Sequence, residues 1–77
     1  MKITTHTIVE IFKTDVNDVT TADHCILVLS HHFPNTRINF DLEDRDRILR
    51  VEGYHIDIRR IIDLLADMKV RCSLYLG

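Results

Sequence analysis

Residues 37–43, RINFDLE, alternate without a break: Ile38, Phe40 and Leu42 fall on one side, and Arg37, Asn39, Asp41 and Glu43 on the other. Successive side chains of an extended chain point to opposite faces, so this run fits a strand with one dry and one wet face. A strand of that kind needs a sheet covered on one side only. Every other segment has to supply either more strands for that sheet or helices for its dry face.

The charged tetrad Asp44-Arg45-Asp46-Arg47 follows as a turn, after which Leu49 and Val51 alternate with Arg50 and Glu52 until Gly53. Residues 37–52 therefore read as a hairpin. Asp57 is placed to cap a helix in which Ile58, Ile61, Ile62, Leu65 and Met68 recur at helical spacing, the clearest periodic signal in the chain. Residues 70–76 alternate again, with Val70, Cys72, Leu74 and Leu76 against Arg71, Ser73 and Tyr75. Upstream, residues 8–12 (IVEIF) are β-branched and aromatic, and apolar on both alternating sets, as in an inner strand. Thr20 and Asp23 stand as a helix start, which predicts a helix from near Thr21. Its stripe would be Ala22, Cys25, Ile26, Leu29 and Phe33, closed by Pro34-Asn35.

The order is β-α-β-β-α-β, one α+β domain over residues 1–77 with a ferredoxin-like plan: a four-stranded antiparallel sheet, two helices on one face, the first and third strands inside. The open face would then carry Glu10, Asn39, Asp41, Arg50, Glu52, Arg71 and Tyr75. A chain of 77 residues has a small core, and self-association is a reasonable supplement to it.

The runs FPNTRINFDLEDRDRILRVEG and IDIRRIIDLLADM resemble the heavy-metal-associated domain of copper chaperones and metal-transporting ATPases. There, a similar strand, hairpin and second helix follow a Met-x-Cys-x-x-Cys loop that holds Cu(I) between two thiolates. The resemblance spans residues 8–76 and would place that loop's Met near Val16 and its two Cys near Asp18 and Thr21. Neither of the latter is cysteine, so the resemblance implies the scaffold without the copper site, since carboxylate and hydroxyl oxygens do not select soft metals.

The polar stretch before and within the first helix offers Asp15, Asp18, His24 and Cys25. Asp18, His24 and Cys25 are the candidates for zinc or nickel, or for a small ligand. They match no zinc template, and adjacent helical residues such as His24 and Cys25 point about 100° apart. Their ordinary roles are loop shaping, solvent exposure and core filling, so no metal or other cofactor is expected. Cys72 lies on an apolar side, as an inert buried thiol would. His31-His32 suits a helix C-terminus, the charges from Glu43 to Arg47 would pair locally in a solvated turn, and Arg59 would pair with Asp63. Two distant cysteines make no disulfide framework.

Neither a nucleophile elbow nor a glycine-rich phosphate loop is present, and the chain has two glycines, Gly53 and Gly77. An enzyme is not expected. The net charge of −2 with scattered basic residues gives no basic face for nucleic acid, and Glu10, Arg50 and Glu52 would stand where an RNA-binding sheet needs aromatics. The start MKITTHTIVEIF lacks a signal-peptide core, and no apolar run approaches a membrane span. A cytoplasmic chain without membrane insertion is expected. The remaining reading is a non-enzymatic module that binds a protein partner or itself as a weak homodimer, through the lightly guarded fourth strand and the open face. Tyr75, Arg71 and Leu76 are its candidate contact residues.

Overall fold

The structure, a computed structural model, describes residues 6–77; the first five residues of the start read for a signal peptide lie outside them. Its elements are β1 (Ile8–Thr14), α1 (Val19–His32), β2 (Arg37–Asp41), β3 (Ile48–Gly53), α2 (Ile58–Asp67) and β4 (Cys72–Leu74). All strand pairs are antiparallel, in the order β2-β3-β1-β4. With its two helices this is an α+β ferredoxin-like sheet, with the first and third strands inside as the element order and right-handed crossovers predict. Among the described residues no helix is long and apolar enough to cross a membrane.

Register fixes the faces. Phe12 stands opposite Leu49 on β3 and Leu74 on β4, and Val51 stands opposite Ile38 on β2. Phe12, Leu49 and Val51 are fully buried, packed with Ala22, Cys25 and Leu29 of α1 and Ile61 and Leu65 of α2. Both helices therefore cover the same side. On α2 the centre of the stripe is Ile61 and Leu65, while Ile62 is half-buried. The connections add Val16 and Val70 to this core.

One assignment changes. Glu10 pairs with the buried Val51, so it lies on the helix side, and the open face of β1 carries Val9, Ile11 and Lys13 instead. With apolar residues on both sets, β1 gives no alternation to read. Its facing is decided by Phe12, the bulkiest side chain of the strand, which fills the core.

α1 starts two residues earlier than the Thr20–Asp23 pair suggests. Asp18, in extended backbone, accepts the Thr21 N–H on its carboxylate at 3.0 Å, and its carbonyl accepts the Ala22 N–H at 3.1 Å. An aspartate at that position satisfies an otherwise orphaned donor and faces the positive helix end, so it outcompetes the threonine. Asp57 caps α2 the same way, accepting the Arg60 N–H at 3.1 Å. α2 ends in a Schellman turn: Val70 N–H reaches Leu65 O at 2.9 Å, Lys69 N–H reaches Ala66 O at 3.0 Å, and Lys69 takes φ +66°. That turn consumes Val70, so β4 starts only at Cys72; it spans three residues, to Leu74, rather than the seven of the alternating run.

The charged hairpin is held by backbone bonds and not by local ion pairs. Asp44 accepts the Asp46 N–H at 2.8 Å, and the Arg47 guanidinium donates to the Leu42 carbonyl. The Thr14 hydroxyl donates to Arg47 O at 2.6 Å, and Thr14 N–H donates to Asp46 O at 3.1 Å. The turn is thereby latched to the end of β1, beside the open face. Among the described residues the ion pair is Arg59–Asp63, at 3.5 Å on the exposed side of α2. Arg60 turns instead toward His32, with Nη2 3.5 Å from Nδ1.

Candidate functional site

Of the residues read as possible ligands, Asp18 and Cys25 are spent on structure. Val16, in the loop before α1, is buried in the core. Asp15 accepts the Arg71 N–H at 2.9 Å and so ties the loop to the start of β4. Asp18 caps α1, and the hydrogen bonds from Thr21 hold its carboxyl below the ordinary value. His24 is exposed, and Cys25, next to it in sequence, is fully buried. Among the described residues no three His, Cys, Asp or Glu stand where they could hold a metal ion. Asp18, His24 and Cys25 are thus not brought together.

Both cysteines are free thiols. Burial, and then the nearby Asp18, push the Cys25 thiol up. Burial, and then Cys25, push Cys72 up to about 12. Thiols held protonated in this way are poor nucleophiles and poor metal ligands.

What remains is the uncovered side of the sheet. Across it runs a row of four: Asn39 opposite Arg50, Arg50 opposite Ile11, and Tyr75 beside Ile11, whose carbonyl accepts the Tyr75 N–H at 2.7 Å. Toward the hairpin the next positions are Asp41, Ile48, Lys13 and Ser73. Toward the other end are Arg37, Glu52 and Val9, the last nearly half exposed. Ile11, Ile48 and Tyr75 make an apolar floor in a hollow of about 330 Å³, walled by Asp41, Asp44 and Asp46. Lys13 Nζ stands 5.9 Å from the Tyr75 ring centre, within reach of a cation–π contact.

Of the contact residues read from the sequence, Tyr75 is 40% exposed on this face and Arg71 is exposed at its edge. Leu76 is exposed too, but it has the parity of Leu74 and lies past the end of β4, so it does not join Tyr75. Val9, Ile11 and Ile48 were not assigned to this face by sequence. Lys13 shares the parity of Val9 and Ile11, but Glu10 sets a charge on the opposite set, so the sequence of β1 alone does not choose between them.

The class of protein these features define is a small ferredoxin-like domain whose loop is closed by its own hydrogen bonds and whose second sheet face no described element covers. No known family's sequence model matches the chain, and no characterised protein or solved structure matches it.

Proposed function

We propose that this domain is a non-enzymatic, cytoplasmic protein-interaction module on a scaffold resembling the heavy-metal-associated domain without its copper site. It works through the open sheet face around Tyr75, and self-association is its simplest form. The observation that carries this reading is the row Asn39–Arg50–Ile11–Tyr75, exposed except at the half-buried Ile11, with its apolar floor. An aromatic, an arginine and aliphatic side chains at the centre of a polar rim are what protein contact surfaces favour. The same face has no aromatic on its two inner strands and holds Glu52 there, which disfavours stacking of nucleic-acid bases.

Sedimentation equilibrium over a wide concentration range tests this. The wild-type protein is expected to show a weak monomer–dimer equilibrium that Tyr75→Glu abolishes. A wild-type mass that stays monomeric at millimolar concentration overturns self-association. A dimer indifferent to Tyr75→Glu removes the contact from this face.

A further inference from the structure

We propose that a second copy of this chain docks on the open face about a two-fold axis parallel to the strands, setting the acidic β2–β3 hairpin of each copy over Lys13 and Arg71 of the other. This rests on the interaction reading above and goes beyond it by fixing the occupant and its orientation.

The inference comes from how charge divides across one end of the face. On the β2–β3 side, Asp41, Asp44 and Asp46 wall the central hollow. On the β1–β4 side, Lys13 and Arg71 flank a second hollow with Ser73 and Asp15, two bases to one acid, the Asp15 carboxylate being occupied by the Arg71 N–H. Among the described residues no ion pair joins the two groups; the pair that exists is Arg59–Asp63 on α2. Each group therefore keeps its charge available to another molecule.

Isologous dimers use one patch twice, so the patch must be complementary to itself. An in-plane axis along the strands exchanges the β2–β3 side with the β1–β4 side and keeps the hairpin end at the hairpin end. Acid then meets base twice. The central row is matched as well, because Arg50 comes over Ile11 of the partner subunit and Asn39 over Tyr75 of the partner subunit, which are apolar or aromatic. An axis across the strands would lay the acids over Arg37 and Glu52, which cancel each other, and leave Lys13 over Val9.

Edge-to-edge addition at β4 is a poorer alternative. Tyr75 and Ser73 direct their backbone groups toward β1, which leaves Cys72 and Leu74 to face outward along a three-residue strand. The face is built from four short strands, so the dimer is weak and charge matching decides its orientation.

The test is charge reversal followed by mixing. Asp46→Lys is the variant of choice on one side, since the Asp46 carboxylate takes no hydrogen bond among the described residues, whereas Asp41 and Asp44 hold backbone N–H groups. Lys13→Glu with Arg71→Glu serves on the other. Thermal unfolding by circular dichroism identifies variants that keep the fold. In sedimentation velocity each reversed variant alone is expected to self-associate at least about tenfold more weakly than wild type. An equimolar mixture is expected to form a heterodimer, and added salt to weaken both it and the wild-type dimer. Folded variants that dimerise like wild type, or a mixture that does not restore association, overturn the docking geometry while leaving self-association standing. A wild-type protein that never dimerises overturns both.

Discussion

At the scale of single residues, the loop before α1 shows how the same side chains can look like ligands in a sequence and act as fasteners in a fold. Asp15 holds Arg71, Asp18 caps the helix and Val16 fills the core. The cap carries a pH dependence of known sign. Its hydrogen bonds lower the folded-state pKa of Asp18 below 3.8, its unfolded value. The cap's contribution is therefore complete above that value and is lost as pH falls through the lowered one. Asp18→Asn keeps an acceptor but not the charge, so its melting temperature should fall less steeply than wild type as the solution is acidified below about pH 4. Identical pH profiles would show that the carboxylate is not the cap. The thiols give a second test. With Cys72 held near 12, its thiolate fraction at neutral pH is on the order of a thousandfold below that of an ordinary cysteine. Iodoacetamide should label it only as fast as the protein opens, and labelling of the native protein at the rate of a free thiol would contradict this.

At the scale of elements, legibility follows periodicity. β2 and α2 carry clean patterns, and both were readable to within a residue or two, including the cap at Asp57. β1 was readable as an inner strand but not in its facing, because its two apolar sets tie until packing chooses Phe12. The hairpin turn was readable as a turn, yet its attachment to Thr14 was not, since backbone bonds between segments 33 residues apart leave no local trace. β4 was read too long at its start because a Schellman turn around Lys69, a non-glycine in the left-handed region, has little sequence signature. The candidate face suffered most, for it is assembled from four strands whose relative register no single segment encodes. On α2 the facing can be checked directly. Leu65 is fully buried and Arg59 is exposed, so Leu65→Ala should cost about 2–5 kcal/mol and Arg59→Ala less than about 0.5 kcal/mol in urea unfolding. Equal losses would mean that the helix faces the other way.

At the scale of the whole molecule, the two sides of the sheet divide the work. One side carries the helices and a core of ten buried hydrophobic residues, with no buried side-chain N or O atom left without a partner among the described residues. Among the described residues no element covers the other side, which keeps an apolar floor beneath a charged rim. For so small a domain, burying that floor against a second copy would add to the stability that its single core supplies. Recording amide chemical shifts while the protein is diluted from millimolar to micromolar concentration tests this most directly. The expected result is that the shifts which move with concentration are those of Ile11, Lys13, Asn39, Ile48, Arg50 and Tyr75, while the outer faces of α1 and α2 stay fixed. Shifts that move on the helices and not on the sheet, or that do not move at all, would contradict it.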